Sequence, residues 1–99
     1  MHTKYFFEDV TLLITHYNRS SSLARLLTRF DELGCSFKEI IVSDDCSDDT
    51  HLAVLQNLQG TYPFKLLRSE KNRGLANNIN KGQDAVDTDL TFYVQEDLV

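Results

Sequence analysis

Two clusters of carboxylates directly follow apolar runs, and they are the residues of this chain most suited to chemistry. Residues 43–49 read SDDCSDD, and residues 95–97 read QED. Carboxylates held close together repel each other unless a cation lies between them. Mg²⁺ and Mn²⁺ prefer such oxygen ligands, so both clusters are candidates for binding a metal or a ligand that carries one. The alternative is that each cluster is simply a solvated strand end.

Four apolar runs must position these clusters, and each is typical of a strand buried on both faces. They cover residues 10–18, 39–45, 64–70 and 90–94. Spacers at 20–34, 48–60 and about 74–87 have helical spacing of apolar residues. The residues on these predicted helical stripes are Leu23, Leu26, Leu27, Phe30, Leu33, Leu52, Leu55, Leu58, Leu75, Ile79 and Val86.

The ends of the predicted helices carry their own signals. Serines at 20–22 suit the start of the first helix, and Gly34 suits its end. Asp48 and Asp49 suit the cap and first turn of the second helix, where acids offset the helix dipole. The alternation predicts βαβαβαβ with right-handed crossovers, an open and mostly parallel α/β sheet.

Ligands of such sheets bind outside the carboxyl ends of the strands. Two further polar stretches, THYN at 15–18 and SEKNRG at 69–74, also follow predicted strands. We therefore expect four polar tips at one edge of the sheet. A phosphoacceptor signalling domain would need an acidic pair after the first strand and an Asp after the third, and this chain has neither.

The composition predicts one domain, with a cytoplasmic location. The chain has 99 residues, 41% of them hydrophobic, and a formal charge of -5. Nucleic acid is not an expected partner, because no run of Lys or Arg could follow a phosphate backbone.

No apolar stretch has the length of a signal-peptide core or a membrane span, although a longer parent protein could lie against a membrane. Cys35 and Cys46 lack metal-site spacing and are expected to be reduced.

Four motifs in order resemble a known enzyme family. VTLLITHYNR begins at residue 10, EIIVSDDCSDDT at 39 and NRGLANNINKG at 72, and the last apolar run ends in QED. From residue 10 to residue 97, the chain is similar to the nucleotide-sugar half of an inverting glycosyltransferase of family 2. The resemblance implies the GT-A fold, a Rossmann-like three-layer sheet in strand order 3-2-1-4. It also implies transfer of a sugar from a nucleotide-diphosphate donor, with a leaning to UDP, to a carbohydrate or other acceptor.

The resemblance implies roles for five residues near the nucleotide base. Thr15, Tyr17 and Asn18 fall in the loop that lines the base pocket. The Tyr17 ring there could stack on a pyrimidine or only pack the loop. Asp44 falls at the acid that accepts a hydrogen bond from the uracil ring N–H. Asp45 is assigned either to the same site or to a cap of the following segment.

The resemblance also implies residues that meet the diphosphate and a Mg or Mn cofactor. Asp97 matches the last acid of the family's D-x-D signature, and Glu96 matches its middle position. Gln95 departs from the signature, since an amide is a poorer ligand for a hard cation than a carboxylate. Arg73 matches a basic position that reaches the base or phosphates, with a solvated surface Arg as the alternative.

The family's acceptor half and general base would follow residue 99, so we expect residues 1–99 to be one donor-binding domain that is inactive alone. None of His2, His16 and His51 is assigned as a catalytic base. For His16 a structural role in the base-pocket loop is expected instead. The alternative function is a non-catalytic nucleotide-binding or interaction module.

The implied strand order also predicts self-association. The third helix would cover its face of the sheet nearly alone, which leaves apolar sheet residues exposed, and the fourth strand would present a free edge. We expect a homodimer through that edge or that face.

Overall fold

A sheet of four parallel strands runs through residues 5–95, the part of the chain that this computed structural model describes. The elements in chain order are β1 (Tyr5–His16), α1 (Ser20–Glu32), β2 (Cys35–Asp44), α2 (Asp49–Gln59), β3 (Lys65–Arg68), α3 (Leu75–Asp84) and β4 (Leu90–Gln95). The strand order is β3-β2-β1-β4 and every pairing is parallel. The α/β alternation and the order 3-2-1-4 are therefore confirmed. No helix among the described residues is long and apolar enough to cross a membrane.

The strand register brings the carboxyl ends of the strands level. His16 pairs with Asp44 between β1 and β2, and Asp44 pairs in turn with Arg68 of β3. On the other side of β1, Thr15 pairs with Gln95 of β4. Polar residues that are far apart in the sequence therefore share one edge of the sheet.

Strand β1 begins five residues before the start that the sequence predicts. Tyr5–Phe7 pairs with Cys35–Phe37, and the register shifts between Phe7 and Thr11. The acids Glu8 and Asp9 interrupt the apolar run at this irregularity, which is why the sequence pattern missed the extension.

The main hydrophobic core lies between the sheet and the pair α1 and α2. Successive strand residues point to opposite faces, so Leu12 and Ile14 of β1 enter this core together with Val42 of β2. The predicted stripe of α1 is confirmed for Leu23, Leu26 and Leu27, all of which are buried. The helices contribute these leucines and Leu55 to the core.

The opposite face, under α3, is largely polar, and this corrects the prediction for the third helix. The buried residues of α3 are Asn78 and Gly82, not the predicted apolar stripe, and Leu75 is 49% exposed. Val86 lies beyond the end of the helix. The physical reason is that the sheet offers α3 threonine and serine side chains as well as aliphatic ones. The buried residues Thr11, Thr15 and Ser43 lie on this face, beside Leu13 and Ile41.

The exposed apolar side chains of β4 lie on the α1 side and not under α3. Leu90 is 61% exposed and Phe92 is 45% exposed. The Phe92 ring lies 6.1 Å from the ring of Phe30 in α1, and strand alternation puts Leu90 on the same side. The expectation of exposed apolar sheet surface under α3 is therefore wrong. Self-association through the β4 edge stays a prediction.

Candidate functional site

A cavity of about 290 Å³ opens at the carboxyl edge of the sheet. All four strand tips contribute to it, as the sequence analysis expected. The lining residues are Thr15, His16, Tyr17, Asp45, Asn72, Gly74, Leu75, Asn78 and Gln95. Of the residues predicted to bind the substrate, Thr15, Tyr17 and Asp45 therefore meet in one place, whereas Asn18, Asp44 and Arg73 do not line the cavity.

The carboxylate of Asp44 lies beneath the cavity and is fully buried. Its Oδ1 atom is 2.7 Å from Nδ1 of His16, and its Oδ2 atom accepts the backbone N–H of Ser47 at 3.0 Å. The Ser47 hydroxyl donates to Oδ1 as well. The family resemblance implies that this carboxylate meets the base, but in the structure it is buried and hydrogen-bonded to His16 and Ser47.

Burial and hydrogen bonding act in opposite directions on Asp44. Removal from water alone would raise the pKa of this carboxyl, but the hydrogen bonds from His16 and Ser47 outweigh burial and hold its pKa below the ordinary value. Arg68, which the sequence analysis did not single out, adds a positive charge 3.8 Å from Oδ2. Asp44 is therefore an ionised anchor for the surrounding loops.

Asp45 is the carboxylate that lines the cavity, and it also holds the loop before α3. Its Oδ1 atom accepts the backbone N–H of Arg73 at 2.8 Å, and its Oδ2 atom accepts that of Gly74 at 2.9 Å. Gly74 has a φ of 91°, a conformation that a glycine adopts without strain. Asp45 thus supports a loop 28 residues away and not the segment that follows it. Each carboxylate oxygen retains acceptor capacity for a ligand.

Asn18 connects the loops after β1 and β2. Its backbone N–H donates to Ser47 Oγ at 2.9 Å, and its own Oδ1 accepts the backbone N–H of Asp48 at 2.8 Å. Asn18 and Cys46 both have positive φ, of 50° and 64°, so each loop makes a sharp turn where they meet. The connection fixes the loop that presents Tyr17, whose side chain is 43% exposed at the cavity.

Arg73 does not line the cavity. It lines a neighbouring depression that also includes Ser69, Asn77 and Lys81. Lys81 was not predicted: its Nζ atom donates to the backbone oxygen of Asp44 at 2.7 Å and to the Ser69 hydroxyl. Burial lowers the pKa of Lys81, and the nearby Asp44, Asp45 and Cys46 partly oppose that shift.

Asn78 is a second residue that the sequence analysis missed. Its side-chain amide donates to the backbone oxygen of Ser43 at 2.8 Å, and its Oδ1 accepts the Ser43 hydroxyl at 2.8 Å. Asn78 and Lys81 are three positions apart, which places them on one face of α3. That spacing of two polar residues was the available sequence signal for a helix packed against a polar sheet face.

The predicted metal ligands Glu96 and Asp97 lie outside the described residues. Within residues 5–95, no group of three His, Cys, Asp or Glu side chains could hold a metal ion. Gln95 ends β4 at the cavity, next to the two predicted ligands in the sequence. The assignment of the metal to Asp97 and Glu96 therefore stays a prediction.

A larger groove of about 770 Å³ lies toward the amino ends of β2 and β3. Aromatic and aliphatic residues form about half of its lining, among them Phe30, Phe37, Tyr62 and Phe64. It does not gather the polar strand tips. The smaller cavity is the better candidate site, because convergent polar groups fix the orientation of a ligand.

Residues 11–99 match the family described as glycosyl transferase family 2. The poly-beta-1,6-N-acetyl-D-glucosamine synthase of Staphylococcus epidermidis is 29% identical over 104 residues, which covers 91% of this chain and 25% of that protein. The dolichol-phosphate mannosyltransferase of Pyrococcus furiosus is 32% identical over 91 residues, covering 90% of this chain and 26% of that protein. The chain thus spans about a quarter of the length of these relatives.

Two solved structures share the fold. The mannosyltransferase PcManGT of Pyrobaculum calidifontis, in complex with GDP-Man and Mn²⁺, superposes with a TM-score of 0.76 at 20% identity, over 90% of this chain and 27% of that one. TarS of S. aureus gives a TM-score of 0.76 at 22% identity, over 90% of this chain and 16% of that one. These likenesses show the GT-A fold that the sequence analysis expected. The fold, the strand order and the sequence match agree, and the chain belongs to glycosyl transferase family 2.

Proposed function

We propose that the cavity at the carboxyl edge binds the nucleotide of a nucleotide-diphosphate sugar, with UDP as the expected nucleotide, and that the parent protein transfers the sugar to a carbohydrate or other acceptor. The observation that carries this proposal is the position of the cavity. It lies where Thr15 of β1 and Gln95 of β4 are neighbours. From β1 the chain first adds β2 and β3 on one side, and later returns to add β4 on the other side. The place where the strand order reverses in this way is the switch point at which open α/β sheets bind ligands.

Tyr17 and Asp45 are the residues suited to hold the base. A half-exposed Tyr ring offers a flat apolar face on which a pyrimidine can stack. Asp45, beside it, accepts only backbone donors among the described residues and has acceptor capacity left for a ring N–H. Asp44 supports both loops from below. We therefore propose Asp45, and not the buried Asp44, as the acceptor for the base.

The diphosphate would lie toward the tip of β4. There Asp97 and Glu96 would hold a Mg²⁺ or Mn²⁺ ion, which neutralises the negative charge of the departing nucleoside diphosphate. PcManGT was solved with Mn²⁺, which supports a metal in this family. Gln95, at the cavity, can donate a hydrogen bond to a ribose hydroxyl.

Affinity measurements on matched variants test the base pocket. Calorimetry with UDP should give at least about 5-fold weaker binding for Tyr17→Ala, the lower end of the loss expected when a base no longer stacks on an aromatic ring. Tyr5→Ala is the matched control, because Tyr5 is an exposed tyrosine at the other end of the same strand. Equal loss in both variants, or none in Tyr17→Ala, contradicts the assignment of the pocket.

The metal is tested separately. UDP affinity should rise when Mn²⁺ replaces a chelator in the wild type, and this gain should be lost in Asp97→Asn. Glu96→Gln should lose less of it. If the wild type binds UDP equally well with Mn²⁺ and with chelator, the metal part of the proposal is wrong. That result would leave the assignment of the base pocket unaffected.

A further inference from the structure

The first backbone N–H groups of α1 have unusual partners. Such groups have no acceptor within their own helix and usually bond to a side chain of the N-cap residue. Here the N-cap residue, Arg19, provides no such bond. The Arg19 N–H donates instead to Nε2 of His16 at 3.1 Å, and the Ser20 N–H points to Nδ1 of His51 at 3.3 Å. Two imidazoles from other elements therefore cap α1.

The hydrogen bonds require opposite tautomers of the two imidazoles. Nδ1 of His16 faces the Asp44 carboxylate, which only accepts, so the His16 proton lies on Nδ1 and Nε2 is free to accept from Arg19. Nδ1 of His51 accepts the backbone N–H of Ser20 at 3.3 Å, and the Ser20 hydroxyl, which can donate or accept, lies 2.8 Å from the same atom. The proton of His51 must therefore lie on Nε2.

We propose that His16 and His51 are positioning residues which hold the loop between β1 and α1 only while both imidazoles are neutral, so that acidification releases this loop. A second proton on either ring would turn its accepting nitrogen into a donor that faces a backbone N–H, that of Arg19 at His16 and that of Ser20 at His51. It would also place positive charge at the N-terminus of α1, which is already the positive end of the helix dipole. Imidazoles of an unfolded chain take up this proton at about pH 6.5.

The charged groups around the two histidines divide into those that favour and those that oppose a second proton. Asp44 of β2 favours positive charge on His16, but it already binds the Nδ1 side, and the second proton must enter at Nε2. Arg68 of β3 and Lys81 of α3, both bonded around Asp44, oppose it. The His51 ring of α2, 6.4 Å from the His16 ring, opposes a second charge once one ring is protonated.

The loop that this cap holds contributes to the cavity. It carries Tyr17, which lines the cavity, and Asn18, which is bonded to the loop after β2. Loss of the cap therefore loosens the residue proposed to stack on the base. This consequence for ligand binding rests on the proposed function, whereas the cap itself does not.

Nitrogen-detected NMR of the histidine rings tests the cap directly. At pH 7.5 we expect the Nδ1–H tautomer for His16 and the Nε2–H tautomer for His51. The amide signals of Arg19 and Ser20 should then shift and lose protection from hydrogen exchange between pH 7.5 and 5.5. The same tautomer in both rings, or amide signals that do not respond in this range, overturns the proposal.

The variant His51→Asn separates the two halves of the cap. Its Oδ1 atom can take the place of Nδ1 as an acceptor without titrating. The Ser20 amide should then keep its position across the pH range, while the Arg19 amide still responds. The control is His2→Asn, which removes the histidine outside the described residues and should leave both responses unchanged. If Ser20 responds as before in His51→Asn, the assignment of His51 is wrong.

Ligand binding gives a second readout. The diphosphate of a UDP-sugar is esterified at both ends and does not titrate between pH 7.5 and 5.5. The affinity of the protein for the UDP-sugar should therefore fall with pH once the histidines take up a proton. The fall is up to about tenfold per pH unit, which is the limit when binding is coupled to the loss of one proton. Correct tautomers without any UDP-sugar binding would preserve the cap and refute the proposed function, so the two failures are distinguishable.

Discussion

Nδ1 of His16 lies 2.7 Å from Oδ1 of Asp44, and neither side chain is exposed to solvent. The two residues are register partners at the ends of β1 and β2. Their bond joins the loops that follow those strands, and the backbone oxygen of His16 also accepts the N–H of Asp45 at 3.0 Å. The hydrogen bond between His16 and Asp44 therefore holds together the two loops from which Tyr17 and Asp45 line the cavity.

Asp44→Asn should lower the free energy of unfolding by about 2–4 kcal/mol, because an amide nitrogen would face the Ser47 N–H and the charged partner of His16 and Arg68 would be lost. Urea unfolding at pH 7 measures this change. Asp31→Asn, at an exposed position of α1, is the control and should change stability by less than about 0.5 kcal/mol. Similar values for both variants would show that the buried network contributes little.

The lowered pKa of Asp44 predicts a loss of stability in acid. A carboxyl whose folded pKa lies below its unfolded value of about 3.9 stabilises the protein fully above that value, and the contribution is lost as pH falls through the folded pKa. The free energy of unfolding should therefore decline below about pH 5. The decline should be shallower in Asp44→Asn, and parallel curves for the two proteins would contradict the assignment.

Gly82→Ala should destabilise the protein by about 1–3 kcal/mol, the range for overpacked sites. A Cβ atom at this position would overlap the side chain of Leu13, which is completely buried under α3. The double variant Leu13→Val with Gly82→Ala should recover part of the loss in thermal unfolding. If the two substitutions are simply additive, α3 does not pack on Leu13 as described.

The sequence predicts the strands and α1 well because those segments depend on one dominant effect, the burial of continuous apolar runs or of a leucine stripe. It predicts α3 as a helix but fails for its buried face, where Asn78 and Gly82 pack on a sheet face that includes Ser43. The helical spacing of apolar residues cannot predict a contact that polar side chains make.

The sequence indicated the part of the fold where the candidate site lies, but not the role of each residue in it. Four polar strand tips indicated the edge of the sheet at which the cavity lies. Asp44 and Asp45 are adjacent and chemically identical, however, and the choice between them depends on the strand register that sets His16 beside Asp44. The two-histidine cap of α1 depends on the same tertiary contacts.

We also predict concentration-dependent self-association through β4. This strand pairs only with β1 among the described strands, and Leu90 and Phe92 leave apolar surface beside its open edge. Analytical ultracentrifugation over a concentration series should show dimer at high micromolar concentration, and Phe92→Lys should weaken it. A monomer at every concentration in the wild type would contradict this prediction.

The most direct test of the account is an amide NMR titration of this chain with a UDP-sugar in the presence of Mg²⁺, which does not broaden NMR signals. We predict that the signals which move belong to the cavity residues, including Thr15, Tyr17, Asp45 and Gly74, while those of the aromatic groove around Phe37 stay in place. GDP-mannose in a parallel titration identifies the preferred base. Unchanged cavity signals at millimolar concentrations of both nucleotide sugars, or shifts confined to the groove, would contradict the proposed donor site.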